Sequence, residues 1–140
     1  MYILVVLLPS DASINIGRLG NIHFKAGYYL YVGSGQTNVE KRVNRYFNKI
    51  KKSRWHIDYL LESGKAIPVK ALILKLSKKY ECKISRFIES KGIIPVLRFG
   101  SSDCNCSSHL FYINTYPEEV LMSIVRVFNH ELLEIFPNKH

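Results

Sequence analysis

Hydrophobic residues along the chain alternate between short strand-like runs and helical repeats. Residues 2–8 form a continuous β-rich run, which predicts a first strand covered on both faces. Residues 28–32 are rich in aromatic side chains and lie between two glycines, which predicts a second strand, and residues 69–76 predict a third. Residues 9–26, between the first two strands, predict a long loop or a small hairpin.

Four segments have the apolar spacing of helices. The first begins at a capping box of Thr37 and Glu40 and extends to Ile50. Two more follow at residues 55–62 and 79–90, and Pro117 opens a terminal amphipathic helix over residues 118–135. The region between the last two helices holds a strand-like run (95–99), a turn rich in Gly, Ser and Cys, and an apolar run (109–113).

This order predicts a mixed α+β domain with segregated layers. A length of 140 residues suits one compact domain. We assign residues 1–114 to that domain and residues 115–140 to an accessory helix packed on it.

Charge is the first indication of a partner. The formal net charge is +9 and the sequence pI is about 9.5, which favours a polyanion, DNA or RNA. Basic residues concentrate on the exposed face of the first helix and just beyond it, where they would follow a nucleic-acid backbone. Those predicted to bind DNA are Lys41, Arg45, Lys49, Lys51, Lys52 and Arg54.

Cysteine usage and hydropathy bear on the compartment. Three cysteines are an odd number, which argues against a closed disulfide framework. The apolar start of the chain lacks a basic leader, and no segment has the length of a membrane span. We therefore expect a protein of the reducing cytoplasm with no membrane partner.

The segment 27–47, GYYLYVGSGQTNVEKRVNRYF, carries the chemistry. A strand ends in Tyr31 and Gly33, small residues follow, and Arg42 lies one turn inside the next helix. This arrangement resembles the second half of the GIY-YIG nuclease signature. With WHIDYLL (55–61) and FGSSDCNCSSHLFY (99–112), the chain resembles a largely archaeal branch of that superfamily, some of whose members are fused to DNA-repair glycosylases.

The resemblance implies a small central antiparallel sheet of three strands flanked by helices, and a divalent-metal-dependent DNA endonuclease. Tyr31 would be the general base or would position water, with Tyr2 as a second tyrosine. Arg42 would stabilise charge on the phosphate, because its planar fork matches phosphate geometry. Glu81 would hold Mg²⁺ or Mn²⁺. A solvated glutamate at the start of a helix is the alternative for Glu81.

Two positions depart from the superfamily pattern and support a second hypothesis. Tyr2 has no preceding glycine, and it could equally be a core aromatic residue. Tyr46 stands where related nucleases carry a histidine, so the protein would manage without that histidine or His56 would substitute for it. The alternative for His56 is a half-buried histidine beside Trp55. Asp58 does not share a helix face with His56, and it would cap the helix or pair with a basic side chain. The second hypothesis is a DNA-binding module without catalysis, acting as an adaptor for a repair enzyme.

A second cluster consists of Cys104, Cys106 and His109, with Cys82 as a further candidate. Soft ligands of this kind suit a structural zinc ion. The spacing is not that of a standard zinc knuckle, and small buried cysteines are the alternative. A zinc-bound or cysteine-based scaffold for protein partners is therefore a third hypothesis.

Overall fold

A computed structural model describes residues 1–35, 38–49, 52–100, 106–128 and 131–135. The described chain contains eight strands and four α-helices, which confirms the mixed α+β class. The strands are β1 (Tyr2–Leu8), β2 (Ala12–Asn15), β3 (Asn21–Phe24), β4 (Gly27–Gly33), β5 (Ile67–Leu74), β6 (Ile94–Pro95), β7 (Leu110–Ile113) and β8 (Leu132–Ile135). The helices are α1 (Val39–Tyr46), α2 (His56–Glu62), α3 (Tyr80–Ser90) and α4 (Glu118–Phe128).

The main sheet has six strands in the order β6-β7-β4-β1-β5-β8, so the expectation of three strands is wrong. The three expected strands form its centre, and each neighbouring pair is antiparallel. β6, β7 and β8 have only two to four residues each, too few for a clear alternation. They add to the sheet because β4 and β5 would otherwise expose unpaired backbone groups.

Both faces of β1 are buried, as its continuous apolar run predicts. Tyr2, Leu4 and Val6 belong to one hydrophobic cluster, which packs against α1, α2 and the hairpin of β2 and β3. Ile3 and Val5 belong to a second cluster, which packs against α3 and α4. Alternate side chains of one strand therefore hold two helical layers on opposite faces of the sheet. Among the described residues, no helix combines the length and apolarity that a bilayer crossing requires.

The first helix differs from its prediction at both ends. Thr37 lies outside the described residues, and Asn38 caps the helix by accepting from the Lys41 amide at 3.0 Å. The helix ends at Tyr46 rather than near position 50, because the Asn48 side chain donates to the Asn44 carbonyl at 2.7 Å. Lys49, Lys52 and Arg54 consequently lie in a connection and not on a helix face.

The terminal helix is also shorter than its apolar pattern indicates. It ends at Phe128, and residues 132–135 form β8 instead. Leu132 and Leu133, assigned to the helix by their spacing, pair with Leu74 and Ile73 of β5. By pairing with the open edge of β5, residues 132–135 satisfy backbone N–H and C=O groups of β5. If the helix continued instead, those groups would remain unpaired.

Candidate active site

One cleft of about 480 Å³ gathers the residues that resemble the nuclease signature. It opens where β1 begins and β4 ends, with α1, α2 and the first turn of α3 around it. Residues from six separate segments line the cleft: Tyr2, Tyr31, Gly33, Ser34, Arg42, Arg54, Trp55, His56, Lys78, Glu81 and Gly100. The predicted catalytic and metal residues, up to 79 positions apart in the chain, are thus side by side in space.

The two strand tyrosines lie on the same face of the sheet. Tyr2 is paired with Gly33 and Leu4 with Tyr31, so the two tyrosine side chains are diagonal neighbours with ring centroids 6.2 Å apart. Tyr2 is 1% exposed and shares a hydrogen bond of 2.6 Å with the Tyr46 hydroxyl. Tyr2 is therefore a core aromatic residue and a wall of the cleft at once.

Neither strand tyrosine ionises readily. Burial raises the pKa of Tyr31 far above its ordinary value, and the nearby Tyr46 and Glu81 raise it further against the opposing effect of Arg42. Burial, followed by the effects of Tyr46 and Tyr31, raises the pKa of Tyr2 in the same direction. With raised pKa values both phenols remain protonated at neutral pH, so each hydroxyl is able to donate a hydrogen bond and neither is a phenolate base.

Gly33 is required by its neighbour. A Cβ atom built on Gly33 would overlap the ring and hydroxyl of Tyr2. The glycine therefore lets the Tyr2 ring lie over the end of β4, which is a packing reason for the Tyr-Val-Gly end of the strand.

Arg42 is held from two sides. Its Nη1 donates to the Ser34 carbonyl oxygen at 2.5 Å, and its guanidinium carbon lies 3.9 Å from the centroid of the Trp55 ring. A cation over an indole face is attracted by the ring quadrupole, and stacking leaves the guanidinium edge for hydrogen bonds. Trp55 is 39% exposed, so this pair stands at the mouth of the cleft.

Glu81 has two hydrogen-bond partners, one on each oxygen. Ser34 Oγ donates to Oε2 at 2.6 Å, and His109 Nδ1 lies 3.0 Å from Oε1. Burial raises the pKa of this carboxyl, but the hydrogen bonds from His109 and Ser34 and the charge of Lys78 outweigh it, so the pKa is lowered. Glu81 is therefore an ionised carboxylate with lone pairs remaining on both oxygens.

His56 points into the cleft region from the start of α2. Its Nδ1 accepts the Gly100 amide hydrogen at 2.8 Å, and its ring packs edge-on against Phe99 with centroids 5.5 Å apart. Burial lowers the pKa of His56, so the ring is neutral at neutral pH and its proton is on Nε2. In this tautomer His56 can donate to a bound group.

Arg45 differs from the other predicted DNA-binding residues. Both of its terminal nitrogens bond to the buried carboxylate of Asp58, at 2.8 and 3.0 Å, and Nη2 also donates to the Lys52 carbonyl. The guanidinium is thereby committed to joining α1 to α2. Lys41, Lys49, Lys52 and Arg54 are exposed, and Lys51 lies outside the described residues.

Cys82, Cys106 and His109 come together behind Glu81. The two sulfurs form a disulfide between residues 24 apart in the chain, with their Cα atoms 5.9 Å apart. One disulfide is therefore present, although the odd number of cysteines argued against a closed disulfide framework. The fold places the first turn of α3 beside the chain that enters β7, which sequence spacing does not reveal. Cys104 and Asp103 lie outside the described residues.

Sequence reasoning missed Ser34 as a functional residue. Ser34 joins the two predicted site residues, since its carbonyl oxygen accepts from Arg42 and its hydroxyl donates to Glu81. The only signal in the sequence is its place directly after the Gly33 that closes β4. Trp55 was considered only as a neighbour of His56, although it stacks on Arg42.

Comparison with known proteins assigns the chain to a family. The model of the family described as "Domain of unknown function DUF123" matches residues 1–131, so the protein belongs to the DUF123 family. No curated protein and no solved structure matches the chain. The family description names no reaction, and a proposal for function must therefore be built on the cleft.

Proposed function

We propose that this protein is a divalent-metal-dependent DNA endonuclease of the GIY-YIG type. The observation that carries the proposal is the single cleft in which Tyr2, Tyr31, Arg42, His56 and Glu81 meet. Motif residues that were chosen from sequence positions alone would seldom share one cavity unless the motif described a site. A role in DNA repair or recombination is part of the proposal, since the resemblance extends to chains fused to repair glycosylases.

The charge around the cleft supports a phosphodiester as substrate. Among the described residues that line it, Arg42, Arg54 and Lys78 stand against one carboxylate, that of Glu81. Such an excess of positive charge in a concave site attracts an anionic backbone and strengthens binding to phosphate oxygens. Exposed lysines on α1 and in the connection that follows it extend this positive surface, and they would hold the backbone without reading its sequence.

Arg42 would bind the scissile phosphate. Contacts with Ser34 and Trp55 fix the guanidinium before substrate arrives, so little ordering remains to be done on binding. Hydrogen-bond donors fixed in this way stabilise the negative charge that develops on a phosphate in the transition state.

Tyr31 and His56 would be hydrogen-bond donors to the bound substrate or water. The raised pKa of Tyr31 keeps its hydroxyl as a donor, which suits orienting a water or a phosphate oxygen and disfavours the general-base role. His56 has its proton on Nε2 because Nδ1 accepts from Gly100, so it too would donate to a phosphate or a leaving oxygen. Tyr46, in the place of the expected histidine, donates to or accepts from Tyr2.

Glu81 fits the metal that the resemblance implies. Its ionised carboxylate lines the cleft and retains lone pairs, and Mg²⁺ is commonly bound by one or two carboxylates together with substrate phosphate and water. Mg²⁺ or Mn²⁺ held there would polarise the phosphate and lower the pKa of water. Ser34 and His109 fix the direction of the carboxylate before a metal binds.

The test is a cleavage assay on labelled duplex, single-stranded, flapped and branched DNA, with RNA as a further substrate, in Mg²⁺ or Mn²⁺. Glu81→Gln keeps the size and hydrogen-bonding groups of the side chain and removes its charge, so cutting should be lost while DNA binding remains. Tyr31→Phe should slow cutting by about 100-fold or more. Glu89→Gln is the matched control, because Glu89 is an exposed glutamate of α3 that bonds Ser107 outside the cleft. Cutting by Glu81→Gln at the wild-type rate would refute the site.

A second function is favoured by the tyrosine pair. Tyr46 occupies the position where a histidine is expected, and its hydroxyl is hydrogen-bonded to that of Tyr2. Both tyrosines have raised pKa values, so neither Tyr2 nor Tyr46 can act as a general base. The protein would then be a DNA-binding module that tethers a repair enzyme. Salt-sensitive DNA binding, with no cutting on any substrate in the assay above, would select this function.

A further inference from the structure

A group of metal-ligating side chains lies apart from the cleft, on the other side of Glu81. The two sulfurs of Cys82 and Cys106 and one ring nitrogen of His109 lie within 4.8 Å of one another. Cys106 is 9% exposed and His109 is 2% exposed, whereas Cys82 is partly exposed, so the cluster is largely buried but reachable from solvent on the side of Cys82. Two thiolates and an imidazole are a ligand set that zinc prefers over magnesium or calcium.

The histidine is already oriented as a metal ligand would be. Its Nδ1 lies between two acceptors, Glu81 Oε1 at 3.0 Å and the Val32 carbonyl oxygen at 3.2 Å, so this nitrogen carries a proton. Histidines that bind zinc usually donate their other ring hydrogen to a carboxylate or a backbone carbonyl, which fixes the tautomer and the direction of the ring. His109 has both kinds of acceptor.

We infer that the reduced chain binds one zinc-class cation through Cys82, Cys106 and His109. The disulfide and the metal are alternative ways of closing the same contact between α3 and the chain entering β7. Glu81 would be the carboxylate behind the histidine in this site. None of the three ligands lines the cleft, although His109 contacts Glu81, which does. Zinc uptake is measured directly, so its outcome does not depend on whether the cleft cuts DNA.

The two forms are related by a balanced exchange. A reductant such as a phosphine gives two electrons to the Cys82–Cys106 bond, the S–S bond breaks, and each sulfur takes up one proton. The phosphine becomes a phosphine oxide with an oxygen from water. Binding of Zn²⁺ then displaces the two thiol protons and forms two zinc–thiolate bonds, with no further electron transfer.

The experiment measures zinc in the full chain after reduction with a phosphine, incubation with zinc sulfate and removal of excess metal. We expect about one zinc ion per reduced chain and almost none in a sample oxidised to the disulfide beforehand. Cobalt offers a second readout, since a thiolate–cobalt charge-transfer absorption should develop in the reduced chain only. Zinc should also raise the unfolding temperature of the reduced chain, because it binds the native state.

Matched variants separate this site from adventitious binding. Cys82→Ser should lose zinc uptake and the cobalt absorption, whereas Ser107→Ala, an exposed neighbour of Cys106, should keep both. Glu81→Ala should lower zinc affinity about 10-fold to 100-fold through His109. The inference is overturned if reduced wild-type chain takes up no zinc, or if the oxidised chain or Cys82→Ser takes up as much as the reduced wild type. Cobalt spectra of the wild type decide the matter even if a variant fails to fold.

Discussion

At Gly33, the absence of a side chain allows Tyr2 to lie across the end of β4. The close packing is visible only in three dimensions, because the two residues are 31 positions apart and meet through strand pairing. Tyr31, Gly33 and Arg42 were expected to form one site because they resemble the second half of the GIY-YIG signature. The sequence could not predict Ser34 as the residue that joins Arg42 to Glu81, because a serine after a strand is common in loops.

Gly33→Ala should therefore destabilise the protein. The added methyl group overlaps the Tyr2 ring, and overpacking in a dense core costs about 1–3 kcal/mol. Urea unfolding at neutral pH measures the change. Gly35→Ala is the control, because a Cβ there would be 3.4 Å from the nearest atom, the Arg42 Cδ, and the cost should be below about 1 kcal/mol. Equal costs for the two glycines would contradict the packing role of Gly33.

At the scale of elements, the start of α2 organises one wall of the cleft. Asp58 is 0% exposed and accepts from the Arg45 guanidinium and from the backbone amides of Arg54 and Trp55. Two roles were expected of Asp58, capping the helix and pairing with a basic side chain. It performs both. The same contacts set the backbone of Arg54 and Trp55, two residues that line the cleft.

Asp58→Asn should weaken the contacts that join α1 to the start of α2. The amide keeps the shape but removes the charge that Arg45 and two backbone amides share, which should cost about 2–3 kcal/mol. The variant should also bind DNA less well, because Arg54 and Trp55 lose their anchor. Thermal unfolding and a DNA titration measure the two effects. Glu62→Gln, an exposed substitution in the same helix, should change stability by less than about 0.5 kcal/mol. An unaltered stability of Asp58→Asn would show that the buried pair contributes little.

Element boundaries were predicted well where residues near in the chain mark them, and poorly where a helix was extended along its apolar spacing alone. Segments β1, β4, β5, α2 and α3 lie within about two residues of their expected limits, because each shows several turns or alternations. The ends of α1 and α4 were misplaced. The Asn48 side chain closes α1, and Leu132 and Leu133 pair with the edge of β5, so both corrections depend on contacts that periodicity does not contain.

For the whole molecule, the net charge of +9 predicts binding to nucleic acid that weakens steeply with salt. Replacing Lys49 and Lys52 with glutamine should lower the slope of log affinity against log salt by about 0.9 for each phosphate that is no longer neutralised. Fluorescence anisotropy with labelled duplex at several salt concentrations measures it. The control replaces Lys65 and Lys91, two exposed lysines outside the cleft, and removes the same two charges. If both pairs change the slope equally, binding depends on total charge and not on this surface.

The sequence alone determined the mixed α+β class, the central strands and the positive charge, because each is a property of composition or of residues near one another in the chain. Tertiary structure decided what distant segments share. It joined six strands into one sheet, brought Cys82 to Cys106, committed Arg45 to Asp58 and enclosed Tyr31 so that its pKa is raised. These outcomes depend on strand pairing, burial and local charge, which arise only when the chain has closed around its two cores.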